Sequence, residues 1–371
     1  MKRNLLLFIG IIAILFPMSL NAQEGPKFSG FVQGLWQSNI DHEGNVMDNT
    51  FQARRVRLSL DGKLIPDLSY KIQGDFVNSP MLVDAYLKYK VNDAFSIQAG
   101  QFKTPFTLES PINPVNLEIF DYGESVKSLC GYSDVCGVGG LGRDLGIMVS
   151  GNLFRIKDKD DDKNNKEKGK DEGFPLITYS VGVFNGNGPV SFKKNEKGLD
   201  NNNRKDFVGR LEVHPMLKAL TVSGSFYYGF YDKDQIHNGL RQRWTAGAQY
   251  KDDDLIVRAE YLNGATGLGI DHGQPNDPEI ISNSEGYYLV AGYNVRFGKN
   301  NSQKLMPVVR YEYLAPEKDP DFTVGTAYYT VGVNYWPIES LNFKLDYSLI
   351  QTISSVKENN HRVVIIGSYK F

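Results

Sequence analysis

The chain has 371 residues, 23% of them charged, with a formal net charge of −2 and a mean hydropathy of −0.35. A charge so near zero gives no field for a polyanion, so nucleic acid is not an expected partner, and the low hydropathy excludes a bundle of membrane-crossing helices. It does not exclude a membrane barrel, whose strands alternate lipid-facing apolar with lumen-facing polar residues; the 37 Gly, 21 Tyr and 21 Phe suit twisted strands and interfacial aromatic belts.

The first segment sets the compartment. Lys2 and Arg3 precede an apolar run over 5–16, and small residues at 19–22 precede Gln23. That is the pattern of a secretory signal peptide cleaved after Ala22, leaving 23–371 as one domain. The apolar run is shorter than the ~20 residues of a spanning helix.

Alternating segments then recur at 27–38, 51–60, 68–77, 82–91, 95–102, 143–152, 176–184, 205–213, 220–231, 241–250, 255–262, 285–297, 304–314, 326–335, 341–350 and 361–371. They number about sixteen, an even count of spans near the ~9–11 residues of a tilted membrane strand. The expected fold is all-β, a transmembrane antiparallel β-barrel. Every second connection is short and rich in turn residues, as at 65–67, 91–94, 214–219, 251–254, 298–303 and 336–340, the mark of periplasmic turns. The intervening connections are mostly longer, notably 185–204 and 263–284, as surface loops are. Two breaks in this pattern are the charged insertion 157–173, which falls on the periplasmic side, and the short surface turn at 78–81.

The faces of the strands are also legible. Segment 341–350 turns Leu341, Phe343, Leu345, Tyr347 and Leu349 one way and Asn342, Lys344, Asp346 and Ser348 the other. An apolar outside over a polar inside is the reverse of a soluble barrel. In 362–371, Val363, Ile365, Gly367, Tyr369 and Phe371 share the outer phase, and a strand of this kind is expected to pair with the first and close the sheet, since a free edge invites aggregation.

The longest interruption, 103–142, opens with prolines and is neither low-complexity nor purely polar. As the third surface loop of a barrel it is expected to fold inward and narrow the channel, with a short helical turn near 115–120. Alternation places Arg55, Arg57, Lys71, Lys88, Arg210, Arg243, Arg258, Arg296, Arg310, Lys344 and Arg362 inside, against Asp75, Asp84, Glu212, Glu260, Glu312 and Asp346. The excess of basic groups raises local anion concentration in a low-dielectric-walled pore. Arg54 fits only at a rim or at a bulge that turns it and Arg55 the same way. Cys130 and Cys136, close together in the long loop of an exported chain, are expected to form a disulfide staple.

Other motifs dissolve on inspection. The G-x-G-x-x-G match at 137–142 precedes a strand, where a dinucleotide site needs a helix N-terminus. The acidic run 158–162 lacks the glycine and closing glutamate of a calcium loop. The five histidines form no triad, so neither a cofactor nor a metal is expected, and a membrane-embedded hydrolase is unmotivated. A surface adhesin is the main alternative to a channel.

The stretches RRVRLSLDGKL (54–64), GQFKTPF (100–106), GRDLGIMVSG (142–151) and VGVFNG (181–186), with the final Phe371, resemble the phosphate-selective porin O/P family over nearly all of the mature chain. The resemblance implies a sixteen-stranded outer-membrane porin, usually a homotrimer in contact with outer-membrane lipid, for passive diffusion of small anionic solutes such as phosphate. It carries Arg54, Arg55 and Lys103 over as anion-pathway residues, beside Arg57, Lys71, Arg258 and Arg310 from the alternation. This sequence departs from the family in the acidity of its long loop, which holds Glu109, Glu118, Asp121, Glu124 and Asp134 and, before Gly142, only Lys103 and Lys127 as bases.

Overall fold

The computed structural model describes residues 25–77, 82–136, 140–156, 173–189, 203–215, 217–233, 236–267, 281–318, 323–354 and 357–371. The expected signal peptide, the insertion at 157–172 and the turn at 78–81 lie outside them. Strands run in chain order as β1 (Lys27–Ile40), β2 (Val46–Ile65), β3 (Leu68–Asp75), β4 (Leu82–Asn92), β5 (Phe95–Lys103), β6 (Arg143–Ile156), β7 (Phe174–Phe184), β8 (Asp206–Val213) and β9 (Leu220–Lys233). They continue as β10 (Ile236–Lys251), β11 (Leu255–Gly267), β12 (Ile281–Tyr293), β13 (Val295–Phe297), β14 (Gln303–Lys318), β15 (Thr323–Ile338), β16 (Leu341–Ile353) and β17 (Glu358–Lys370).

Each strand pairs antiparallel with its sequence neighbours. β17 pairs with β1 from Phe31↔Lys370 to Ile40↔His361, which closes the sheet into a barrel and removes its edges. β13 continues β12 after a break at Asn294, both lying against β14, so the wall has sixteen staves and one of them is interrupted. The segment read as one strand at 285–297 is therefore two. Asn294 has no partner on β14, while its N–H continues toward the β11 side and donates to Asp254 O at 2.6 Å. The pairing of β2, β10, β14 and β15 also extends well past the apolar cores of those strands, so several surface connections are shorter than alternation alone suggests.

The alternation is physical. Along β16 the even positions Asn342, Lys344, Asp346 and Ser348 are buried and Phe343, Leu345 and Tyr347 are exposed. Outward-facing Leu289, Val309, Tyr329, Val331, Leu345 and Ile365 are likewise exposed. No helix among the described residues is long and apolar enough to cross a membrane; the chain crosses with strands. Two positions depend on special backbone geometry. At Gly100, φ is +130° and a Cβ would lie 2.2 Å from Ala85 O, so only glycine fits. At β2 the register slips so that Gln33 faces Arg55 and Gly34 faces Ala53, making Arg54 the extra residue of a bulge.

The inner face is not uniformly polar. Leu35, Val364 and Ile366 point inward and bury Phe120 of the 104–142 loop, which is why apolar residues occupy the inner phase of β17. A larger apolar cluster joins Phe106, Leu117, Ile119, Val126 and Leu129 of the loop to Phe184, Val208, Leu262, Val290 and Val308 of the wall.

Candidate functional site: the loop seat and the basic wall

The loop contains a 3-10 turn, Pro114–Asn116, opened by Asn113, whose Oδ1 accepts the Val115 N–H. A short helix α1 (Glu124–Leu129) follows. The turn falls near the expected one; α1 carries no strong periodic signal and was not legible.

Every acidic side chain that made the loop look hostile to anions is engaged by a base. Glu109 Oε2 accepts from Arg310 Nη1 at 2.5 Å and from Arg258 Nη2 at 3.3 Å. Glu118 Oε2 accepts from Arg258 Nη2 at 2.6 Å. Asp134 receives both terminal nitrogens of Arg243, at 2.5 and 2.6 Å, a bidentate pair. Asp121 sits between Arg54 Nη2 at 2.7 Å and Arg55 Nη2 at 3.0 Å, the two residues that the β2 bulge turns to the same side. Glu124 pairs with Lys127 at 2.7 Å. Burial pushes the Asp121 carboxyl upward, but Arg54, Arg55 and Lys127 outweigh it and hold the group below its ordinary range.

The reciprocal contacts run from wall carboxylates to loop backbone. Glu260 accepts the Leu108 N–H at 2.9 Å, Asp346 the Phe120 N–H at 2.7 Å, and Glu312 both the Ser125 N–H at 2.7 Å and its hydroxyl at 2.5 Å. Lys344 donates to Leu117 O and, at 3.3 Å, to Ile119 O. The loop thus satisfies its buried backbone groups on the inner faces of β11, β14 and β16, as any irregular segment removed from water must.

The arginines expected in the anion pathway are therefore all in ion pairs: Arg54 and Arg55 with Asp121, Arg57 with Asp75 at 2.9 Å, and Arg258 and Arg310 with the loop glutamates. The lysines are not. Lys103 Nζ donates to Ser110 O, to Ile112 O at 3.0 Å and to the Tyr122 hydroxyl at 2.8 Å, and lies 5.0 Å from the Tyr122 ring centroid. Among the described residues Lys71 Nζ makes no hydrogen bond or close ion pair; Asp84, which bounds the same cavity, is its electrostatic neighbour at longer range. Arg143, which pairs with Asp84 at 2.7 Å, and Arg241, which pairs with Asp206 at 2.9 Å, were missed by sequence reading. Arg241 is in phase with Arg243 on β10, so the alternation itself could have found it.

The expected staple is not formed. Cys130 and Cys136 are free and buried. The Cys136 thiol donates instead to Asp134 Oδ1 at 2.7 Å, with Arg243 Nη2 3.4 Å from its sulfur.

Comparison places this geometry in a family. No curated protein matches by sequence. Among solved structures, the barrel is similar to an anion-selective porin from Comamonas acidovorans (TM-score 0.62, 12% identity, covering 94% of this chain and 99% of that one). It is also similar to the outer membrane channel DcaP of Acinetobacter baumannii (0.59, 14%, 93% and 97%) and to the trimer form of OmpT, an outer membrane protein of Vibrio cholerae (0.58, 11%, 94% and 100%). At such identities the likeness is one of fold. The model of the family "phosphate-selective porin O and P" matches residues 32–365, nearly the whole chain, and the protein belongs to that family of outer-membrane porins.

Proposed function

We propose that the protein is a passive diffusion channel for small hydrophilic solutes, with a preference for anions, phosphate among them, set by lysines rather than by the arginines of the wall. Residues 1–22 act as the export signal, and 23–371 form the barrel, which works as a homotrimer, as the trimer form of the Vibrio neighbour suggests. The 104–142 loop is the constriction. Its anchors come from β2, β11, β14 and β16, strands spread around the wall, which supports a path through the interior.

The observation that carries the anion preference is the difference in pairing. Wall arginines are cancelled by carboxylates at hydrogen-bond distance, so their field largely vanishes beyond the pair, whereas Lys71 and Lys103 face no carboxylate at that range. The two lysines bound a common cavity with Asp84, whose carboxylate is held by Arg143, so that they carry the excess positive charge there and act on a permeating ion.

Zero-current potentials across a salt gradient test this. Lys71→Glu should lower the anion-to-cation permeability ratio, and the change should shrink as the Debye length falls from about 10 Å at 0.1 M to about 3 Å at 1 M salt. Lys299→Glu, an exposed site in the turn before β14, should shift it much less. Equal shifts, or none for Lys71, would remove the lysine from the filter.

A further inference from the structure

Building on the channel reading, we propose that the cavity between the loop and β2–β5 selects sugar acids, ring compounds bearing one carboxylate and several hydroxyls, over bare inorganic anions. The cavity, of about 230 Å³, is bounded by Lys71, Gln73, Tyr86, Gln98, Lys103 and Asn113. It shares Lys71, Gln73 and Asn113 with an adjoining cavity of about 580 Å³.

The argument rests on which bonding groups are left open. Arg57 and Arg143 also line the smaller cavity; Asp84 and Leu141 O take the whole fork of Arg143, while Asp75 takes only the Nε of Arg57 and offsets its charge, so neither arginine presents an unneutralised bidentate site of the kind that favours phosphate. Lys103 spends all three ammonium protons on Ser110 O, Ile112 O and the Tyr122 hydroxyl; it contributes charge and no donor. Among the described cations of the cavity, Lys71 alone is an open donor whose charge no carboxylate offsets at hydrogen-bond distance. One unneutralised donor suits a single carboxylate better than a multivalent oxyanion.

The remaining open valences are neutral. Among the described residues the Gln98 amide, the Asn113 Nδ2 and the Tyr86 hydroxyl have no hydrogen-bond partner. Gln73 uses its nitrogen on Ser59 Oγ at 2.6 Å, which leaves its oxygen open. Amide oxygens repel the lone pairs of an inorganic anion and accept from a sugar hydroxyl, which both donates and accepts. Apolar surface lies beside them, with Tyr86 packed edge-on against Phe102 at 5.9 Å and Pro111 and Pro114 across the cavity. The C–H face of a sugar ring can rest there.

The test uses the full barrel in planar bilayers carrying chloride current, with glucuronate as the probe. Cyclohexanecarboxylate matches its ring and charge without hydroxyls, glucose matches its hydroxyls without charge, and phosphate is the bare oxyanion. Glucuronate should interrupt the current at a concentration roughly tenfold below all three, the scale of one or two extra hydrogen bonds. Gln98→Leu should erase the advantage over cyclohexanecarboxylate and leave the latter's effect unchanged, and Lys71→Gln should weaken both acids. Equal potency of glucuronate and cyclohexanecarboxylate, or of glucuronate and phosphate, would overturn the proposal. A silent barrel would overturn the channel reading instead. The site is then read by calorimetric titration of detergent-solubilised protein with glucuronate, where binding weakened by Lys71→Gln and Gln98→Leu supports it and no binding in the unmodified barrel overturns it. Heat-modifiable mobility on gels verifies that each variant is folded.

Discussion

Glu109 ties the loop to two strands at once. Its Oε2 receives Arg258 and Arg310, and its Oε1 accepts the Gly123 N–H at 2.6 Å, all in a fully buried setting. Glu109→Gln keeps the shape and removes the charge. Breaking a buried pair costs on the order of 3–5 kcal/mol, and because Arg258 keeps Glu118 and Arg310 keeps Glu312, the lower end of that range is expected. A fall in the detergent melting temperature would show it; an unchanged melt would mean that the glutamate adds nothing to the seat. Gly123→Ala should act in the same direction, since a Cβ there would sit 1.8 Å from Arg310 Nη2. The sequence placed Arg258 and Arg310 on the inner face, because strand period is a local property. It did not place Glu109 beside them, because their separations of 149 and 201 residues are bridged by a loop with no period to read.

Strands were the most legible elements. Their side-chain phase follows from backbone geometry alone, so every expected segment has a counterpart in the barrel, and errors fall at ends and at the Asn294 break. The inner phase was read less well where the loop intervenes: Val364 and Ile366 look out of place on a polar wall until Phe120 covers them. Closure can be tested on β17. The Phe371 N–H donates to Gly30 O at 3.1 Å and the Gly30 N–H to Phe371 O at 3.0 Å, and the Phe371 ring lies 6.3 Å from that of Phe28. Deleting Phe371 removes both hydrogen bonds and the ring contact from the closing ladder. A reduced yield of heat-modifiable barrel in the outer membrane is expected; a normal yield would show that β17 closes the sheet without its last residue.

At the scale of the whole molecule the barrel separates two solvents. Leu345 is 46% exposed on the outside, while its neighbour Lys344 is 2% exposed within. Leu345→Arg should therefore cost about 2–4 kcal/mol if the site lies near the bilayer midplane, measured as a shift in the urea folding equilibrium in lipid vesicles. No shift would place that site at the interface. The long span of the loop's anchors has a kinetic consequence. Phe120 meets Asp346 across 226 residues and Leu117 meets Lys344 across 227, so the seat of the loop is incomplete until the C-terminal strands have joined the sheet. Contacts of such high order form late. During insertion the sheet is therefore expected to close before the loop is fully seated, so that the proposed constriction is the last part of the channel to take shape.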